Sequence, residues 1–224
     1  VGLSPVRPRA AVAVSGGVRR ALLTAWPGAT VETIPNIVSA PASLPRPRSA
    51  GDGHTTLVTA GALRPLKNTR AAVEALRHLP TSYVLEVAGD GPQAADLQTT
   101  VRDLGLTGRV RFLGRISDVA GLLDRADVLV HPSLAETFGF SLFEAADAGV
   151  PVAAYAVEAI DEIVPFYVPG TLATERTAEA LAQAILRLGN GEAEAAVSPA
   201  WQRRRNDLSP AAVAARWCDV LAGI

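Results

Sequence analysis

From residue 55 onward, short apolar runs alternate with stretches of helical period. Residues 55–60, 83–88, 110–113, 127–130 and 152–155 are apolar almost without interruption, as expected for strands buried on both faces. Between them, residues 68–79 place Ala72, Leu76 and Leu79 on one face. Residues 177–188 do the same with Leu181, Ile185 and Leu188. Helices are also expected over 93–104, up to Arg125, over 140–148, and from Ser209-Pro210 to Leu221. Ser117 or Asp118 is the expected cap of the helix ending near Arg125. Strand and helix in strict alternation predict an α/β fold with a doubly wound, Rossmann-like parallel sheet. A smaller unit precedes it: a strand over 11–14, a helix over 17–24 and a strand over 31–34. The segment between, rich in proline with Pro41, Pro45 and Pro47 and ending in Gly51 and Gly53, has no apolar period. It reads as a linker. The expected division is therefore 1–40, a linker 41–53, a main domain 54–200 and a helical segment 201–224.

Composition narrows the function classes. The 224 residues are 49% hydrophobic, enough for a sizeable core. A net charge of −1 gives no reason to expect nucleic acid as a partner. The single cysteine, Cys218, excludes an internal disulfide and fits a reducing compartment, so a cytoplasmic location is expected. The longest uncharged apolar run, 148–157, is far short of a transmembrane span. The three histidines, His54, His78 and His131, are scattered and suggest no metal site. His131 reads as a strand-end packing residue. Trp201 and Trp217 read as core or groove packing, and the apolar stretch 164–169 as a loop that is either packed under a helix, the favoured reading, or an interface patch. The chain starts with Val and has no Met, which points to a fragment or processed product. Of 21 Lys and Arg residues, only Lys67 is a lysine.

The candidate chemistry centres on 130–152, V-H-P-S-L-A-E-T-F-G-F-S-L-F-E-A-A-D-A-G-V-P-V. A strand feeds a loop, and the loop feeds a helix whose first amides lack internal partners. Such a helix start attracts anions through free N–H groups and the helix dipole. Glu136 lies in the loop and Glu144 about one turn into the helix.

Glu136 and Glu144, with Phe138-Gly139 between them and A-G-V-P-V after them, resemble the E-x7-E segment of retaining GT-B glycosyltransferases. These enzymes have two Rossmann-like domains and use nucleotide-activated sugars. The family usually reads Glu-Gly-Phe-Gly, where Thr137 stands here. The resemblance implies that Glu144 bonds the donor ribose and that Glu136 faces the donor sugar as the catalytic candidate. The backbone of Phe138, Gly139, Phe140, Ser141 and Leu142 would meet the diphosphate.

Other segments extend the resemblance. G-A-L-R-P-L-K-N is similar to the family's basic loop, which implies Gly61, Arg64 and Lys67 as donor contacts; Arg64 stands two residues past the usual arginine position, which Ala62 occupies. Cations there suit a diphosphate. G-D-G-P is similar to the family's next turn, with Gly89 allowing close backbone approach. Gly114-Arg115 follows a strand where the family's backbone meets the nucleobase. V-E-T-I-P-N resembles the end of the family's amino-terminal domain, although Ile37 replaces its usual glycine. In A-V-E-A-I-D-E-I-V, Glu162 matches a family glutamate, but Glu158 and Ala159 stand where the family has two glycines.

The resemblance thus implies the donor-binding half of a retaining glycosyltransferase. Its donor would be a nucleotide diphosphate sugar, with no cofactor and no required metal. Its partner would be the missing amino-terminal domain, in cis or as a separate chain. A non-catalytic nucleotide-sugar-binding subunit, or a GT-B-fold epimerase or hydrolase, are the alternatives. Base, sugar and acceptor are not legible.

Overall fold

The structure, a computed structural model, describes residues 9–38, 53–188 and 205–222. Nearly all of the expected linker, and Trp201, lie outside the described residues.

The first unit is β1 (Ala10–Ala13), α1 (Gly16–Ala25) and β2 (Thr30–Thr33), with β1 and β2 paired in parallel. The main sheet contains β3 (Thr55–Ala60), β4 (Tyr83–Ala88), β5 (Val110–Gly114), β6 (Val128–His131), β7 (Val152–Tyr155) and β8 (Gly170–Ala173). Its order is β5-β4-β3-β6-β7-β8, and every pairing is parallel. The connecting helices are α2 (Thr69–Ala75), α3 (Ala94–Asp103), α4 (Val119–Asp124), α5 (Phe140–Asp147), α6 (Ile160–Tyr167) and α7 (Ala178–Arg187). A last helix, α8 (Pro210–Ala222), follows. The apolar runs form the centre of the core: Leu57, Val58, Leu85, Val87, Leu129, Val130 and Val152 are all buried.

Strand order sets the site. After β3 the chain builds outward through β4 and β5, then returns to lay β6 on the other side of β3. The loops after β3 and β6 therefore leave the sheet in opposite senses and open a crevice at their carboxyl ends.

Local chemistry sets the start of several helices. Ser15 accepts from the Val18 amide at 3.2 Å and Thr177 from the Ala180 amide at 3.1 Å, as side-chain caps do. Of the two candidate caps before α4, Asp118 does the work, accepting from the Gly121 amide at 2.8 Å. The helix expected over 68–79 ends as α-helix at Ala75 and tightens into a 3-10 turn, Leu76–His78.

The structure corrects the reading of the segment after β7. The stretch read as a turn and apolar loop is α6, with Pro165 inside it, followed by β8. Pro165 cannot donate to the Asp161 carbonyl. It sits in the last turn, after Ile160, Ile163 and Val164 have been buried. β8 is an edge strand that includes Gly170, where a Cβ would collide with the Val152 carbonyl oxygen.

The small unit is tied to the main domain at α6. The Gly16 amide donates to Glu162 Oε2 at 2.9 Å, and Arg20 pairs with Glu162 Oε1 at 2.6 Å. Behind it, the Val38 amide donates to the Leu208 carbonyl at 3.0 Å, just ahead of α8.

Candidate functional site

Three successive strands end in glycines with positive φ: Gly61 at +149°, Gly89 at +139° and Gly114 at +65°. Their loops interlock at the carboxyl edge. The Gly61 amide donates to the Ala88 carbonyl at 3.0 Å, and the Gly89 amide to the Gly114 carbonyl at 2.8 Å. A Cβ at Gly89 would collide with the Gly61 carbonyl oxygen. The close approach that Gly89 permits is thus already used by a neighbouring loop.

Lys67 ends the 3-10 turn Pro65–Lys67, and Asn68 in the left-handed region (φ +49°) turns the chain into α2. This arrangement carries Lys67 across the crevice to the β6 loop. Its Nζ lies 2.5 Å from Glu136 Oε2. Glu136 has only 14% of its side chain exposed. His131, the last residue of β6, is buried and brings Nε2 to 3.4 Å from the same oxygen. At that separation Nε2 makes no hydrogen bond. Its Nδ1 lies 3.4 Å from Ser141 Oγ on α5. The contact with His131, then that with Lys67, holds the Glu136 carboxyl down at about 2, overcoming burial, which pushes it up. Lys67 makes the regular, short bond of the two.

The start of α5 faces the same crevice. Gly139 sits before the helix at φ +78°. A side chain at Gly139 would crowd Leu142 and Ile160. Phe138 is buried and stacks on Phe143 at 5.1 Å between centroids, which anchors the helix start. Phe140 is 52% exposed, and Glu144, one turn on, is exposed on the same helix. The Leu142 amide donates to the Gly139 carbonyl at 3.0 Å, which leaves the amides ahead of it at the helix start without a partner inside the helix.

Lys67, Glu136, Ser141 and the α5 start therefore meet, although Lys67 and Glu136 are 69 residues apart in sequence. Arg64 and Arg115 are exposed and form no ion pair among the described residues. His131, read from sequence as packing, is buried as expected, yet its ring is part of the cluster. Its place as the last residue of a strand leading into the motif loop was the available signal. Glu158 also reaches the site, with Oε2 accepting from the Glu136 amide at 3.3 Å. Among the described residues no group of three or more His, Cys, Asp or Glu side chains is placed to hold a metal ion.

Comparison with known proteins bears on this arrangement. Residues 44–204 match the family described as Glycosyl transferases group 1. The chain belongs to this family. Among curated proteins, it is 36% identical over 127 residues to a 2-deoxystreptamine glucosyltransferase of Streptomyces kanamyceticus, covering 54% of this chain and 33% of that protein. It is also 35% identical over 167 residues to an exopolysaccharide phosphotransferase of Streptomyces coelicolor, covering 71% of this chain and 18% of that protein. The chain thus spans a third or less of the length of these relatives. Among solved structures, Anabaena HepE in complex with UDP and glucose superposes with a TM-score of 0.79 at 21% identity. The match covers 95% of this chain and 62% of that one. At that identity the likeness establishes the fold, the Rossmann-like half of a GT-B architecture. No helix among the described residues is long and apolar enough to cross a membrane.

Proposed function

We propose that this chain is the donor-binding part of a retaining glycosyltransferase, which moves a sugar from a nucleoside diphosphate sugar to an acceptor held by a second domain. The observation that carries this reading is the meeting of Lys67, Glu136 and His131 beside the α5 start, at the point where strand order reverses.

In this reading the α5 amides of Phe138 to Leu142 and Lys67 take the diphosphate, and Glu144 bonds the ribose hydroxyls. Gly61, Gly89, Gly114 and Arg115 border the nucleoside, and Arg64 flanks the phosphates. Glu136 faces the sugar. A carboxyl held at about 2 is ionised at neutral pH and is a weak base. Its role is therefore electrostatic: it stabilises positive charge developing at the anomeric carbon as the bond to the diphosphate oxygen breaks. Lys67 and the helix dipole stabilise the negative charge on the leaving diphosphate, so no metal is needed for that step. The acceptor hydroxyl bonds to the anomeric carbon on the face the diphosphate leaves, and its proton passes to the departing diphosphate oxygen. Retention rests on the resemblance of Glu136 and Glu144 to the family's glutamate pair.

The rest of the enzyme is supplied elsewhere. A two-stranded parallel sheet is not stable uncovered. Beside β1 and β2 lies an open groove of about 770 Å³, lined by Ala10, Val12, Trp217 and Leu221. Neither Lys67 nor Glu136 lines it. This supports reading β1-α1-β2 as the end of a longer domain. The second reading is a non-catalytic subunit that binds the nucleotide sugar for a partner. The match to a phosphotransferase does not displace either reading, because the matched region is only 18% of that protein.

The test is titration of the chain with UDP, GDP, ADP and their glucose conjugates. One nucleoside diphosphate binds saturably and stabilises the fold by about 2.7 kcal/mol at 100 times its dissociation constant. The chain alone makes no glycosylated product, and transfer returns when the missing domain is supplied. No nucleotide binding refutes the donor reading. Robust transfer by these residues alone refutes the half-enzyme reading, and binding with no transfer even with the second domain favours the subunit.

A further inference from the structure

The turn between β7 and α6 is built unusually. Glu158 has φ +21°, one of two non-glycine residues with positive φ among those described. Its backbone is pinned from behind. Arg20 Nη2 donates to its carbonyl at 3.4 Å, and a Cβ at Gly17 would collide with its carbonyl carbon. Pinned in this way, the side chain turns toward the β6 loop, where Oε2 accepts from the Glu136 amide at 3.3 Å.

The charge at this point is unbalanced. Lys67 is already engaged by Glu136 at 2.5 Å. Arg20 reaches Glu158 only at its carbonyl and directs its charge to Asp161 and Glu162. Glu158 is exposed, so its carboxylate faces the crevice without a neutralising partner among the described ion pairs. Meanwhile His131 Nε2, in a side chain only 6% exposed, makes no hydrogen bond and is aimed at Glu136. One buried polar atom and one carboxylate outside any described ion pair thus flank Glu136.

We infer that Glu158 determines the class of sugar the donor carries: the site takes nucleoside diphosphates bearing an uncharged sugar and rejects those bearing a uronate. This rests on the donor-binding reading above. A hydroxymethyl group beside Glu158 donates a hydrogen bond to its carboxylate. A uronate carboxylate at the same position meets like charge, and the cations of the site are engaged elsewhere: Lys67 by Glu136 and the diphosphate, Arg64 by the phosphates and Arg115 by the nucleoside. Glu158 here is a specificity residue; it takes no part in bond making.

The experiment compares UDP, UDP-glucose and UDP-glucuronate by calorimetry with the 224-residue chain. The expected result is that UDP-glucose binds about tenfold tighter than UDP-glucuronate at low salt, a size set by one like-charge contact at a partly screened surface. Added salt narrows the gap. Glu158→Gln keeps an oxygen that accepts from the Glu136 amide and removes only the charge. It should reduce the ratio to about threefold or less. Glu158→Asp keeps the charge and most of the discrimination. If UDP binds but the two sugars bind equally, or if the ratio is the same in Glu158→Gln, the inference is overturned while the donor reading stands. If UDP does not bind, the same comparison is made with the conjugates of whichever of GDP and ADP does, and if no nucleoside diphosphate binds, both fall.

Discussion

Replacing Lys67 with alanine tests the site in two independent ways. The first concerns stability. Holding the Glu136 carboxyl at about 2 instead of 4.5 is worth ~3 kcal/mol in full. His131 supplies part of that, and the Lys67 side chain is 35% exposed, so solvent screens its share. Loss of Lys67 alone should therefore cost about 1–2 kcal/mol at pH 7. The sign with pH follows from linkage. A carboxyl depressed on folding stabilises the folded chain above about pH 4.5, and this is lost as pH falls toward 2. The gap between wild type and Lys67→Ala should thus hold through about pH 4 and shrink to about half by pH 2.5. Urea denaturation at a series of pH values measures it. The second way concerns binding. Lys67 is engaged by Glu136 before any ligand arrives, so a diphosphate gains only the difference between the two partners. Lys67→Ala should then weaken nucleoside diphosphate binding about tenfold, the lower end for a charged hydrogen bond. Glu136→Gln should act in the opposite direction, tightening the bare diphosphate roughly threefold by releasing Lys67. A stability gap independent of pH would refute the ion-pair account. Equal weakening by both substitutions would refute the competition between carboxylate and phosphate for Lys67.

Two further outcomes are expected. Glu144→Ala should weaken a bare nucleoside diphosphate and its sugar conjugate alike, by about five- to tenfold, because ribose is common to both. Calorimetry showing loss for the conjugate alone would remove Glu144 from the ribose. Gly89→Ala should cost more than about 3 kcal/mol or prevent folding, since strain and collision combine. Gly105→Ala, also at positive φ (+68°) but with nothing within 4 Å of its Cβ, should cost about 1 kcal/mol. Similar melting temperatures for the two would show that the loop interlock at Gly61 is unimportant.

Residue order alone conveys much of this fold. Strands such as β3, β4 and β7 are buried on both faces, so their runs Leu57-Val58, Leu85 and Val87, and Val152 to Tyr155 stand out without alternation. Cap chemistry at Asp118 and Thr177 is equally local, because donor and acceptor lie three residues apart. Glu136 and Glu144, close in sequence, were legible as a motif for the same reason, whereas Lys67 stood out only as the chain's single lysine before a helix. α6 and β8 were not legible. Pro165 breaks the helical signal, and β8 is a four-residue edge strand whose glycine matters only beside the Val152 carbonyl. The role of Gly89 also shifted, from room for a ligand to room for the Gly61 loop.

What only the tertiary structure decided is who meets whom at the crevice. Lys67 reaches Glu136 because β3 and β6 are neighbours, a pairing that crosses the intervening β4 and β5. His131 became part of the site because a strand end, rather than a packed interior, lies beneath that loop. Glu158 faces Glu136 because Gly17 and Arg20 of the small unit hold its backbone from behind. Periodicity and capping are set by residues a few positions apart. The polar contacts at this site join residues 22 and 69 positions apart, brought together only when the sheet closes.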